Sequence, residues 1–545
     1  MALFLYVVRI SFFAKFFIIS CIGGSSIVIY GGKINIPTIH GGHPMPAGFI
    51  SYQTKNGIRY ARFCIARYKD GKKFNEETSL GRVIDEGRGI FKNRERGVFT
   101  FSVEDGYGPA PDDAANEGQG KGKFRAILDF GDSYFLYSFL AGTPYWDVFS
   151  NVMQGNERDT FLSLLGYYIL GGGARCHAKT WWEGNYASVL FPKARLDGKR
   201  ISEFLRALGD EKTQRRFFER YIKAVLSGPG IHGILIDSEG LPNSIDMEVT
   251  QLSNHDGDIN VETRLIYICE RNTGLPLYFR YISGNIVDFS TLATTVEELE
   301  KAGVCTDFAI LDAGYYCEGN IKLLYEKGIA FVTRLKQNRV LYKELVAEHL
   351  SGLQSPEHLV AFNKRFLFIQ KTPCRLQGRD AFAYICKDPV MGMLETRNRV
   401  PAALADGASQ QEVFETIQKA GVFVIISSED MKADEILPLY YTRQQIEQVF
   451  DITKNYAEVL PLRVHSEETF RGHLFVSFVA AIACHLMQKL FKDKGTNQME
   501  ALRELRNQKC KLYDKVVIPM EPRKKMNDIY KISKIQCPVR IPVDN

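Results

Sequence analysis

The sequence predicts an α/β protein: a mixed sheet flanked by helices and carrying a β-rich insertion, preceded by a β-rich module and a mainly helical one. Three observations predict this. After Gly230, short apolar runs and helical patterns follow in the order strand, strand, strand, helix, strand, helix, strand, the texture of a mixed sheet with helices packed on it. Turn residues separate the runs, as in Arg271-Asn272-Thr273-Gly274 between two strands that they make antiparallel. The chain has 545 residues, of which 45% are hydrophobic and 24% charged, so several globular modules are expected. A single small binding module and wholesale disorder are excluded.

Residues 1–44 are an apolar extension in which Met1–Tyr30 is interrupted only by Arg9 and Lys15. The run from Phe16 to Tyr30 has 15 residues and contains Gly23-Gly24-Ser25-Ser26, whereas a membrane span needs ~20 apolar residues. We therefore expect translation to begin at Met45. Residues 45–105 read as a small β-rich module, with turns at Lys55-Asn56-Gly57 and Lys69-Asp70-Gly71, and 106–126 as a Gly- and Pro-rich linker. Residues 127–228 read as mainly helical; Arg215, Arg216 and Arg220 there suit either DNA docking or a solvated face.

The core begins at 229 and runs to 336. Ile234-Leu235-Ile236 is a strand ending at Asp237, and Val261–Cys269 and Leu275–Tyr281 are the next two strands. The helix Leu292–Ala302, the strand Phe308–Leu311 ending at Asp312, the helix Asn320–Lys327 and the strand Ile329–Thr333 follow. Residues 337–420 form the β-rich insertion, with strands Arg365–Gln370 and Ala381–Cys386. The core resumes over 421–490 with the strand Val422–Ile426, a long helix from Lys432 to Tyr456 and a buried helix at Leu474–Met487. Residues 491–545 are a tail holding 13 basic and 7 acidic residues, which accounts for the whole net charge of +6. Arg523, Lys524, Lys525, Lys531, Lys534 and Arg540 there suit phosphates or a solvated end. The 11 cysteines are scattered without a C-x-x-C pair, so neither a zinc site nor a disulfide framework is expected and a reducing, cytoplasmic compartment is favoured.

Two carboxylates thus follow buried apolar runs, Asp237 in Ile234-Leu235-Ile236-Asp237 and Asp312 in Ile310-Leu311-Asp312-Ala313-Gly314. Strand ends are where α/β sheets place their sites. The third element is the long helix. At 100° per residue Tyr440, Arg443, Glu447 and Lys454 fall within about 60° of arc, beside an apolar stripe of Leu439, Ile446 and Phe450 that holds the helix to the sheet. Asp451 lies on the same face, and Asp246, Asp256 and Asp288 lie near Asp237; Asp288 reads as a turn or cap residue and His255 as a loop histidine. Three carboxylates brought together suit two Mg2+ ions shared with substrate phosphates, with Arg443 and Lys454 neutralising neighbouring phosphates. The chemistry is in-line phosphoryl transfer on nucleic acid.

These residues resemble a family. Tyr440-x2-Arg443-x3-Glu447-x6-Lys454 is similar, without a gap, to the Tyr-Arg-Glu-Lys signature of DDE transposases from bacterial insertion sequences, in the subgroup with a β-rich insertion before the Glu. Asp312 with Asn320 and Phe331-Val332-Thr333-Arg334-Leu335-Lys336 looks like that family's second-Asp region, and Thr273-Gly274-Leu275-Pro276 like the segment after the first Asp. The resemblance is specific over about 230–340 and 420–490 and looser over 45–221. It implies an RNase H-like core with Asp237, Asp312 and Glu447 as catalytic metal ligands. Mg2+, with Mn2+ substituting, would support cleavage at the element's ends and strand transfer to target DNA. Tyr440, Arg443 and Lys454 would bind DNA phosphates, with Arg334 and Lys336 as further DNA contacts and residues 127–228 as the end-binding region.

The implied partners are terminal-repeat and target DNA and at least one further copy of the chain, in a nucleoid-associated location without a membrane. The insertion holds no tryptophan, so an aromatic such as Phe366 or Phe382 would have to stack a flipped base. The rival readings are a catalytically inactive or domesticated DNA-binding relative and, from another class, a protein anchored in a membrane by residues 1–30.

Overall fold

The computed structural model describes residues 26–29 and 32–35 and, from 48 on, all residues except 56, 70–71, 94, 111–122, 254–258, 456–459, 461, 463, 465 and 544–545. The apolar run Met1–Tyr30 is thus outside the described residues except for the backbone of Ser26–Ile29, which pairs with Gly32–Asn35. His255 and Asp256, and most of the expected linker, are outside them as well. The chain divides into two compact units, Met1–Lys121 and Gly122–Asn545. In the first, six antiparallel strands run in chain order from Gly48–Lys55 to Gly106–Pro109 around a small core of Ala61, Leu80, Phe91, Phe99 and Phe101.

The second unit is built on one mixed sheet of ten strands. Asn260–Glu270 is antiparallel to both Pro276–Ser283 and Ile234–Pro242, and Phe308–Leu311 and Ala330–Arg334 then continue the sheet parallel to Ile234–Pro242. In chain order these five strands lie 3-2-1-4-5, an arrangement that fits an RNase H-like core. Phe308–Leu311 is an uninterrupted apolar run buried along its whole length, and Phe331–Thr333 is buried beside it, as suits strands in the interior of a sheet.

The structure corrects several expectations. Ile234–Pro242 does not stop at Asp237: it runs on for five residues, because Asn260–Glu270 is long enough to pair with all of it. What ends at Ile236 is its pairing with Phe308–Leu311. The insertion 337–420 is less β-rich than expected. Its strands Leu359–Phe362, Arg365–Leu376 and Arg379–Lys387 extend the central sheet through Val422–Ser427, and helices Val340–His349, Pro389–Ala405 and Gln410–Lys419 make up much of the rest.

The C-terminal segment is not a tail. Lys509–Tyr513 pairs with Phe124–Asp129 and with Val516–Pro519, which pairs in turn with Ile541–Pro542, so the chain's end closes a four-stranded sheet with part of the expected linker. Two of its cations are paired internally. Arg506 reaches the fully buried Asp132 at 2.9 Å, and Lys509 pairs with Asp129. Arg523, Lys524, Lys525, Lys531, Lys534 and Arg540 remain exposed.

The stretch Leu474–Met487 lies in the 26-residue helix Glu467–Lys492, long and apolar enough to cross a membrane by length and composition, yet mostly buried inside the protein. Two glycines let Gly198–Leu208 lie directly against it. A Cβ on Gly472 would stand 1.8 Å from the Leu205 carbonyl oxygen, and one on Gly209 would stand 2.0 Å from that of Glu468, so the two backbones touch at both points. A methyl group at 472 can be accommodated only by separating the helices, and overpacking of this kind costs about 1–3 kcal/mol. Gly472→Ala should lower the thermal midpoint by several degrees, while Gly198→Ala, whose added carbon meets open space, should leave it unchanged.

Candidate active site

Register brings the first two carboxylates together. The parallel pairing sets Ile236 beside Leu311, so the residues that follow, Asp237 and Asp312, stand at the same level. Asp312 ends its strand and turns the chain: its Oδ2 accepts from the Gly314 N–H at 3.3 Å. Asp237 stays in the sheet, opposite Tyr267, and its Oδ1 accepts from the Ser238 N–H at 2.9 Å.

The third carboxylate arrives on a helix that is shorter than expected. Instead of one helix from Lys432 to Tyr456 there are Ala433–Tyr440, a 3-10 turn at Tyr441–Arg443, and Gln444–Asn455. Tyr440 therefore belongs to a different helix from Glu447 and Lys454 and is buried, so the single polar stripe breaks at its first member. Gln444–Asn455 is held on the sheet by Ile446, Val449, Phe450 and Thr453. Phe450 packs on Tyr267 with ring centroids 5.0 Å apart, and the Thr453 and Tyr267 hydroxyls are hydrogen-bonded at 3.1 Å. Tyr267 pairs with Asp237 and so points to the same face, which aims the helix's polar side at that carboxylate.

There the Arg443 guanidinium meets all three. Its Nη1 contacts Asp312 Oδ1 and lies 3.4 Å from Asp237 Oδ2, and its Nη2 donates to Glu447 Oε1 at 2.7 Å. Arg443, expected to grip phosphate, here acts as counter-ion to the carboxylate trio. Lys454, also expected to meet phosphate, pairs with Glu239 on the same strand as Asp237. Arg334 stacks over Phe423 at 4.9 Å beyond the end of the Asp312 strand's neighbour, and Lys336 two residues on is exposed. Phe366 is half exposed, and Phe382 stacks under Lys371.

Sequence reasoning missed the layer beneath. Ser238 Oγ donates to Asp288 Oδ1 at 2.5 Å and accepts from the buried Arg264 Nη2 at 2.7 Å, so Asp288, expected to be a turn or cap residue, is a fourth carboxylate beside Asp237. A Cβ on Gly314 would stand 2.8 Å from Asp288 Oδ2, so this layer also abuts the Asp312 turn. For Glu239 the signal was present: two residues from Asp237 in a strand, it had to share its face. For Asp288 no local signal existed.

Burial is the main force on Asp237. It pushes the carboxyl up to about 7; Arg443 draws it down, while Asp312 and Asp288 push it further up. Burial opposes the charge on Arg443 too, but Asp237 and Asp312 outweigh it and hold the guanidinium above its ordinary range. The oxygen donors of Asp237, Asp312 and Glu447 fit a hard divalent cation such as Mg2+. In the arrangement seen the guanidinium stands among them, and among the described residues no three His, Cys, Asp or Glu side chains lie close enough together to ligate one ion.

A carboxyl with a higher pKa folded than unfolded binds more protons in the folded state, so its contribution to stability is full below about pH 4 and declines as pH rises toward about 7. In chelator-treated protein, Asp237→Asn should therefore melt above the wild type at pH 8, and the difference should shrink as pH falls to 5. Equal differences at both pH values would contradict a buried, proton-hungry Asp237.

Comparison with known proteins bears on this site. No curated protein matches the chain. Among solved structures, the cryo-electron microscopy structure of the piggyBac transposase synaptic complex with hairpin DNA is similar at 13% identity over 69% of this chain and 79% of that one, with a TM-score of 0.37, below the level at which a shared fold follows. Residues 249–483 match the family described as the transposase DDE domain, a span that contains Asp312, Arg443, Glu447 and Lys454 and begins after Asp237. The match makes this span of the chain similar to that domain family.

Proposed function

We propose that the chain is the transposase of an insertion sequence, which binds the element's terminal inverted repeats and catalyses metal-dependent DNA cleavage and strand transfer. One observation carries the reading: carboxylates from two parallel strands and from a helix distant in sequence converge on a single guanidinium at a sheet end. A structural ion pair needs one partner, and three acids gathered at one point repel each other unless a cation serves them.

Asp237, Asp312 and Glu447 would hold the divalent metal, Mg2+ or in its place Mn2+. When bound, it supplies charge neutralisation for the attacking and leaving oxygens of an in-line displacement at phosphorus. The chain's own residues do the rest. Arg443 presents a planar fork that suits a phosphate as well as it suits carboxylates, so DNA can draw it off the trio. Lys454 exchanges Glu239 for a backbone phosphate in the same way. Ser238 and Arg264 hold Asp288 in the layer beneath Asp237. Tyr440 acts beside Arg443, and Arg334 and Lys336 extend the cationic track. Substrate and product DNA, a second copy at the paired ends and a nucleoid-associated location complete the reading. An inactive DNA-binding relative would keep the binding and lose the chemistry.

Incubating the protein with plasmid carrying the gene's own flanking DNA should give Mg2+-dependent cuts at inverted ends, reduced by at least about 10³-fold in Asp312→Asn and in Glu447→Gln. Binding without cutting in the wild type would favour the inactive relative, and cuts that survive both substitutions would remove the trio from the mechanism. Lys454→Ala should weaken binding to all DNA sequences alike and lower the slope of log K against log salt by about 1.

A further inference from the structure

The connection between the strands Arg379–Lys387 and Val422–Ser427 is a helical hairpin, Pro389–Ala405 and Gln410–Lys419, that the function above does not use. It is firmly built. Asp388 caps the first helix, its Oδ1 accepting from the Val390 and Met391 N–H groups at 3.0 and 3.2 Å, and is itself buried against Arg365 at 2.7 Å. Gly392 lets the helix rest on the Ala420 carbonyl. Ser409 and Glu412 close a capping box on the second helix.

Yet the hairpin has almost no core of its own. Gly392 is the one buried residue of the first helix among the described residues, and the second helix has none. Val390, Met391, Met393, Leu394, Leu404, Phe414 and Ile417 are instead exposed, by 42% to 76%. On the first helix Val390, Met393, Leu394 and Leu404 fall within about 100° of arc, and on the second Phe414 and Ile417 are three residues apart, the spacing of faces made to be covered. Loops expose single apolar residues without consequence, but capped helices with seven large ones ask for a partner.

We propose that this hairpin is an interface between two copies of the chain. Charge argues against nucleic acid as the occupant: residues 389–420 carry three basic and four acidic side chains, and Arg399 and Lys419 are already paired with Glu395 and Glu415. Area argues for a copy. The exposures amount to on the order of 600 Å2 of apolar surface, close to the ~800 Å2 each partner gives to a stable interface, and an isologous pairing uses the same surface twice. Met391 and Met393 add adaptable side chains that pack well on an identical, imperfectly flat partner. The proposal does not depend on the carboxylate site, since it concerns association in the absence of DNA.

Sedimentation velocity of the full chain without DNA, across sub-micromolar to tens of micromolar concentration, tests it. The wild type should pass from monomer to dimer over that range. The double variant Met393→Glu, Phe414→Glu, whose side chains are exposed in the single chain, should keep the wild-type circular dichroism and thermal midpoint while its dimer dissociation constant rises by about 100-fold or more. A wild type that stays monomeric throughout, or a folded variant that dimerises as tightly as the wild type, would overturn the proposal.

Discussion

Everything at the site depends on one guanidinium holding together carboxylates that would otherwise repel each other. Asp237 is mostly withdrawn from water and its neighbours Asp312 and Asp288 are acids, so the charged form is disfavoured three times over. Arg443 is the countervailing group, and it reaches Asp237, Asp312 and Glu447 from the turn that precedes the Glu447 helix. A buried cation serving several acids is a poor source of stability, because both signs pay for desolvation. Its value here is geometric: it holds three carboxylates from three elements within reach of one group.

That arrangement needs a rigid scaffold, and the central sheet supplies it by register. Parallel pairing of Ile234-Leu235-Ile236 with Ala309-Ile310-Leu311 sets two aspartates level, and the antiparallel partner Asn260–Glu270 contributes Tyr267, on which the Glu447 helix sits. Behind the sheet the helix Glu467–Lys492 is enclosed by protein, in backbone contact with Gly198–Leu208. The C-terminal segment pairs with Phe124–Asp129 and ties the far end of the unit to its beginning. Two of the positive charges that make this segment look like a free arm, Arg506 and Lys509, are consumed by Asp132 and Asp129.

Much of this was legible in the sequence where the signal was local. The strands Phe308–Leu311 and Val422–Ser427 are short apolar runs with no competing pattern, and they lie where the residues predict. The long helix was misjudged because a 3-10 turn at Tyr441–Arg443 leaves the apolar periodicity almost intact while rotating everything before it. Where the insertion's strands pair was not legible at all: strands of two-residue period look the same whether they build their own sheet or extend a neighbour's, and only the pairing of Phe382–Lys387 with Val422–Ser427 decides it.

The sequence by itself determined which chemistry was available. Carboxylates after apolar strands and a spaced Arg, Glu and Lys on a helix are properties of residue type and interval, and interval survives folding. Only the tertiary structure decided what those groups touch. That Arg443 faces Asp237 and Asp312, that Lys454 answers Glu239, and that Asp288 stands behind Asp237 through Ser238 are contacts between residues 50 to 215 positions apart. Such contacts are set by strand register and helix packing, which depend on the whole core at once and leave no mark on any short stretch of the chain.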